Sequence, residues 1–245
     1  MMKALLLDLD GTLLDNPMDT FVREYLQALG TYLADRVPPE RLVPELLRAT
    51  QVMAANDGSG PTNEELFASV FYPALGQERD QLEPVIRRFY GEEFPKLRRF
   101  TRPVPEARPL VQWAFDAGLQ VAVATNPLFP RTAIEQRLEW AGVGVRDFPF
   151  ALVTTYETMH ASKLDPAYYR EILARLGRDP SECLMAGDDW GWDIVPTAGL
   201  GLSAWWVAPP GAEPPQSLPG LAGCGTLGEL WGHLRGDRPA SARAT

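Results

Sequence analysis

Two carboxylates spaced one residue apart close the first apolar run of the chain, Leu5-Leu6-Leu7-Asp8-Leu9-Asp10-Gly11-Thr12. An apolar run of this length, cut off by a Gly-Thr turn, reads as a buried strand whose C-terminal end faces a crevice. Side chains alternate along extended backbone, so Asp8 and Asp10 project the same way while Leu9 turns into the core. Two like charges withdrawn from water together are costly unless a divalent cation or a shared proton compensates them. Metal-assisted or acid–base chemistry is the first expectation.

The elements that would position such a pair follow from apolar periodicity. After Asp15 the pattern is helical for roughly ninety residues. Phe21, Val22, Tyr25, Leu26, Leu29 and Leu33 mark one amphipathic helix, closed by Pro38-Pro39, and Arg41 to Ala55 marks a second. Thr62 with Glu65 forms a capping box for a third helix to about Leu75, and Leu82 to Phe94 gives a fourth; no strand is expected in this segment.

From Pro105 the pattern alternates. Helices over 106–117, 131–141 and 166–176 separate strands over 120–124, 150–154, 183–186 and 200–207. Strands alternating with helices of this length imply an α/β fold, a Rossmann-like parallel sheet covered on both faces. The first strand must join that sheet, so the helical segment is an insertion. Beyond Val207 the chain reads as loop until Thr226 and Glu229 cap a last helix to about Leu234, and residues 236–245 read as a mobile tail.

In such a sheet functional groups gather at the C-terminal ends of the strands. Those ends bring Asp8 and Asp10 together with Thr125-Asn126 and with Gly187-Asp188-Asp189-Trp190-Gly191-Trp192-Asp193, and Lys163 lies in the loop after the third strand. In isolation each has a plain structural reading: a helix cap for Asp8 and Asp10, a strand-to-helix turn for Thr125-Asn126, solvated surface for Lys163, a capping cluster for Asp188 and Asp193. Their order and spacing together favour a site.

Taken as a set, these residues resemble the haloacid dehalogenase superfamily of aspartate-nucleophile hydrolases. The four motifs of that family look like Asp8-Leu9-Asp10-Gly11-Thr12, Thr125, Lys163, and Gly187-Asp188 with Asp193. The resemblance implies a Rossmann-like core over residues 1–15 and 105–245 and a helical cap over residues 16–104, hinged near Asn16-Pro17 and Thr101 to Pro105. It implies Asp8 as nucleophile forming an aspartyl-phosphate, and Asp10 as the acid that protonates the leaving alcohol and then the base that activates water. Thr125 and the N–H of Asn126 would hold phosphoryl oxygens, and Lys163 would neutralise charge on the phosphoryl group and Asp8.

Mg²⁺ would be held by Asp8, the main-chain carbonyl of Asp10 and Asp188, with Asp193 as an outer carboxylate toward a metal-bound water or Lys163. Asp189 is the rival of Asp188. Two departures stand out: Lys163 is followed by Leu164-Asp165-Pro166 where the family often has proline directly, and Trp190 and Trp192 are bulky for the acidic loop. Asp10 favours a phosphatase acting on a small phosphorylated metabolite, because displacing halide from carbon needs no second acid. A phosphomutase of the β-phosphoglucomutase kind is the nearest alternative, ahead of a dehalogenase or a non-catalytic phosphoryl-binding module.

Composition sets the remaining expectations. A formal charge of −9 disfavours nucleic acid and anionic membrane as partners. Cys183 and Cys224 have no metal-ligand or disulfide spacing, and no stretch reads as a signal peptide or a membrane span, so a cytoplasmic protein is expected. The aromatic residues Phe21, Tyr25, Phe67, Phe71, Tyr72, Phe89 and Tyr90 read as packing of a helical bundle. Arg87-Arg88 and Lys96-Arg98-Arg99 read as a solvated face.

Overall fold

The computed structural model describes residues 2–236. Its centre is the strand β1 (Ala4–Leu7), every residue of which is buried. A two-residue strand β2 (Leu14–Asp15) follows, and then four helices: α1 (Met18–Tyr32), α2 (Pro39–Ala54), α3 (Asn63–Leu75) and α4 (Arg79–Glu92). A 3-10 segment, Phe94–Phe100, leads to β3 (Arg102–Pro103), which pairs antiparallel with β2. From there helices and strands alternate: α5 (Ala107–Asp116), β4 (Gln120–Val123), α6 (Arg131–Trp140), β5 (Leu152–Val153), α7 (Ala167–Leu176) and β6 (Cys183–Gly187). A π-helical turn, Trp190–Ile194, runs into α8 (Val195–Leu200), then β7 (Ser203–Val207), β8 (Leu221–Gly225) and α9 (Leu227–Arg235).

Six strands form one parallel sheet in the order β5-β4-β1-β6-β7-β8. Alternation along β1 divides the core in two. Leu5 and Leu7 join the cluster built with α5, α6 and α9, through Leu110, Ile134 and Leu230. Ala4 and Leu6 join the cluster built with α7, through Tyr168, Tyr169 and Ile172. With both faces covered, strands buried on each side can be continuous apolar runs, as β1 is.

The four helices between β2 and β3 follow the expected periodicity, and the Thr62–Glu65 capping box starts α3. The corrections lie at short or glycine-rich elements. The ribbon β2–β3 stands at the borders of a segment expected to have no strand; two residues per strand are too few to leave an alternating signature. The stretch expected as loop after Val207 contains β8. Its sequence, Leu-Ala-Gly-Cys-Gly, carries little β pattern because a Cβ on Gly223 would stand 2.5 Å from the Trp205 ring, so the strand is glycine-rich where the neighbouring indole lies against it. The strand expected over 200–207 begins only at Ser203, after α8 ends in a left-handed Gly201, and the strand expected over 150–154 shrinks to Leu152–Val153. Gly236 closes α9; the rest of the expected tail, 237–245, lies outside the described residues.

The inserted helices are latched to the sheet domain by buried polar groups. Asn63, fully buried at the start of α3, donates through Nδ2 to the carbonyls of Ala161 (3.2 Å) and Pro127 (3.3 Å) and accepts from Asn56 Nδ2 at 2.9 Å. Beside it the Asn63 and Glu64 N–H groups donate to Met159 and Tyr156 carbonyls, and Ser162 Oγ donates to the Ala54 carbonyl at 2.6 Å. Each carbonyl so engaged would otherwise be withdrawn from water without a partner. Asn63→Ala removes three of these bonds, and the expected outcome is a loss of about 2 kcal/mol. Urea unfolding checks it: the midpoint falls while the slope holds, and an unchanged midpoint refutes the latch.

Candidate active site

The C-terminal ends of β1, β4 and β6 and the loop after β5 open into one cavity of about 770 Å³, lined by Asp8, Asp10, Thr125, Asn126, Lys163, Asp188 and Asp193. Asp8 follows β1 and continues its ladder, its N–H donating to the Ala186 carbonyl at 2.9 Å. The chain then turns sharply, the Leu13 and Leu14 N–H groups both returning to the Leu9 carbonyl at 2.9 Å. Gly11 makes that turn with φ +85°, and a Cβ there would fall 2.2 Å from Asp188 Oδ2. A second glycine performs the same service: a Cβ on Gly187 would sit 2.1 Å from Asp193 Oδ2. Both glycines clear the space that the carboxylates occupy.

The buried Lys163 ammonium bridges two of these acids, donating to Asp8 Oδ1 and, at 2.7 Å, to Asp193 Oδ1. Burial by itself would lower the Lys163 pKa, but the Asp193 and Asp8 charges outweigh it and hold the ammonium firmly protonated. Asp8 is pushed the other way. Its burial, with the Asp193 and Asp188 carboxylates nearby, raises its pKa well above the ordinary range although Lys163 opposes the shift. Asp188 is exposed to the cavity yet surrounded by protein, and that partial desolvation, followed by the Asp193 charge, pushes it up to about 6.

Asp8, Asp188 and Asp193 each offer a carboxylate oxygen within 4.8 Å of the others. Three hard oxygen donors this close fit a hard divalent cation. Asp193 is also tied elsewhere: besides Lys163 it accepts from the Asp189 N–H at 3.1 Å through Oδ2. Asp189 itself caps the π-helical turn, accepting from the Trp192 N–H at 2.9 Å, and stands outside the cluster. Trp190 packs edge-on against Trp206, whose indole N–H donates to the Asp188 carbonyl at 2.8 Å, while Trp192 lines the cavity.

Thr125 and Asn126 leave β4 toward the same cavity. The Thr125 carbonyl accepts from Tyr168 Oη and Thr154 Oγ1, both at 2.7 Å, which fixes the turn while its hydroxyl engages no protein group. Asn126 Oδ1 accepts from the Lys163 N–H at 3.3 Å, joining the two loops.

Asp10 lines the cavity but takes different partners from Asp8. One oxygen accepts from Arg137 Nη1 and the other from Asn16 Nδ2 at 2.7 Å. Arg137 is 1% exposed, its Nη2 has no acceptor in the protein, and its guanidinium lies over the Phe129 ring, 4.6 Å from the centroid. Neither Arg137 nor Asn16 was anticipated from sequence. The available signal was the place of Arg137 on α6, within the stripe Ala133, Ile134 and Leu138 that otherwise faces the core.

Of the aromatic residues expected as packing, Phe21 and Phe89 are core, whereas Tyr25, Phe67, Phe71, Tyr72 and Tyr90 also line the cavity. Arg87, expected on a solvated face, is 75% exposed as expected and also reaches the cavity, where it pairs with Glu83.

Comparison with known proteins shows the family and the fold. Residues 2–198 match the haloacid dehalogenase-like hydrolases. The chain is 30% identical over 231 residues to a phosphoserine phosphatase of Thermus thermophilus, covering 84% of this chain and 88% of that one. It is 28% identical over 205 residues to pyrophosphatase PpaX of Bacillus velezensis, covering 84% and 82%. A solved 2-haloacid dehalogenase from Pseudomonas syringae superposes with a TM-score of 0.63 at 23% identity, over 96% of this chain and 99% of that one, a likeness of fold. On the match across most of its length, the chain belongs to the haloacid dehalogenase-like hydrolase family.

Proposed function

We propose that the protein is a Mg²⁺-dependent phosphatase that hydrolyses a phosphate monoester of a small metabolite through an aspartyl-phosphate on Asp8. The observation that carries this reading is Asp10. A second carboxylate lines the same cavity as Asp8, held by Arg137 and Asn16 in place, and only a leaving group that needs a proton gives such an acid work to do. The phosphatases among its relatives support the same choice.

Asp8 attacks phosphorus in line, and the phosphorus–oxygen bond to the alcohol breaks as the new bond forms. Asp10, whose two oxygens accept from Arg137 and Asn16, must first take up a proton as substrate binds, and passes it to the departing alkoxide. It then takes a proton from water as that water attacks the aspartyl-phosphate, releasing inorganic phosphate and restoring Asp8. Thr125, whose hydroxyl is uncommitted, and the Asn126 N–H hold the phosphoryl oxygens, and Lys163 offsets the charge gathering between them and Asp8. Asp8, the Asp10 carbonyl and Asp188 would hold the ion, with Asp193 behind them. When bound, the ion screens the negative charge that crowds nucleophile and phosphate together.

The helices α1 to α4 act as a cap over the strand ends in this reading. The ribbon β2–β3 lies at both borders of the insertion, where a hinge would have to bend. Closure keeps bulk water from the site during attack.

Two measurements test the proposal. Asp8→Asn is expected to abolish Mg²⁺-dependent phosphate release, by at least about 10³-fold, while Asp10→Asn loses about 10²- to 10⁴-fold on alkyl phosphates and far less on p-nitrophenyl phosphate, whose phenol leaves without a proton. Equal losses of Asp10→Asn on both substrates would contradict its role. Metal binding, followed by calorimetry with Mn²⁺ in place of Mg²⁺, is expected to weaken as pH falls through about 6, because Asp188 must give up a proton to ligate. Affinity that is flat between pH 5 and pH 7.5 would exclude Asp188 as a ligand.

A further inference from the structure

We infer that this cavity selects phosphate monoesters of apolar alcohols, with a branched or aromatic hydrocarbon body seated among the inserted helices; the inference rests on the phosphatase reading. A phosphoryl group and an ion's water shell, at about 30 Å³ per water-sized unit, fill on the order of 250 Å³. Most of the 770 Å³ therefore belongs to the alcohol.

The walls around that remainder are hydrocarbon: Val22 and Leu26 of α1, Leu47 of α2, Phe67 of α3, Ile86 of α4, and Phe129 opposite them. Exposure tells the same story independently. Among the described residues six large apolar side chains are exposed, and three of them, Met18, Leu47 and Trp192, line this one cavity. Apolar surface kept facing water is unfavourable unless something apolar covers it in use.

The cations that line the cavity are already paired. Arg87 pairs with Glu83, Arg131 with Glu135 and Arg137 with Asp10, while Glu64 is taken by Arg79. The carboxylate of an amino-acid phosphate would enter with no unpaired cation to meet, although Glu157, which accepts only from the Arg131 N–H, could face an ammonium. A polyol would fare no better, since its hydroxyls would leave water for hydrocarbon. The Tyr72 and Tyr156 hydroxyls engage no protein group and offer partners for one polar point on an otherwise apolar body.

The test is a set of primary-alcohol esters, so that every leaving oxygen needs its proton equally: 2-phenylethyl phosphate, 3-methylbutyl phosphate, glycerol 1-phosphate and phosphoserine, with Mg²⁺ and the Asp8→Asn protein as blank. The two apolar esters are expected to exceed the two polar ones in kcat/KM by at least about thirtyfold. Polar esters turned over as well as apolar ones would overturn the inference and leave the phosphatase reading standing; no ester turned over would end both. Leu47, 44% exposed, can accept a charge without unfolding the chain. Leu47→Asp, confirmed folded by its thermal midpoint, should cut the ratio of 2-phenylethyl to glycerol ester by about tenfold, and Val22→Asn should act in the same direction. An unchanged ratio in both folded variants would overturn the assignment.

Discussion

The buried ammonium of Lys163 is the group on which the arrangement depends. It lies between Asp8 and Asp193, all three nearly out of solvent, so each charge is tolerable only because of the others. One cation does not balance three neighbouring carboxylates, and the pKa values of Asp8 and Asp188 are raised first by desolvation and then by the neighbouring acids. The site is left electrostatically incomplete in a way that a divalent cation would complete. Its stability and its capacity to bind are two aspects of one imbalance.

That imbalance is held by backbone rather than by side-chain packing. Gly11 and Gly187 leave room where carboxylates must stand, and the capped π-helical turn returns Asp193 to within reach of Lys163. Two-sided burial of the sheet supplies the rigidity, with α5, α6 and α9 against one face and α7 against the other. The helices inserted after β2 contribute nothing to the acidic cluster, yet they supply much of the apolar lining of the same cavity. The acidic cluster and the apolar lining thus come from different stretches of chain.

The sheet and its acidic strand ends were legible because each rests on a local pattern. Leu5-Leu6-Leu7 before Asp8 and the capping boxes at Thr62 and Thr226 are local signals, and the structure carries them where they were expected. What escaped depends on neighbours distant in sequence. Strand β8 pairs beside an indole that excludes side chains, so its glycines look like loop. Arg137 meets Asp10 across 127 residues of chain, and periodicity can show only that a cation sits on an apolar stripe. Tyr25, Phe67 and Phe71 have the spacing of core residues whether they pack, line a cavity or do both, since either environment rewards the same apolar face.

The central place of β1 has a cost in time. It is the first strand to be synthesised, but its partners are β4 and β6, which begin at Gln120 and Cys183. At about 5–20 residues per second, roughly ten to forty seconds pass before the ribosome has made the second of them. Until β4 is made Leu5-Leu6-Leu7 has neither edge of its ladder filled, and until β6 is made one edge stays open, while the helices of the insertion can already coil locally. The insertion that lines the cavity thus also emerges between β1 and its neighbours, so the central ladder of the sheet can be completed only after the inserted helices have been made.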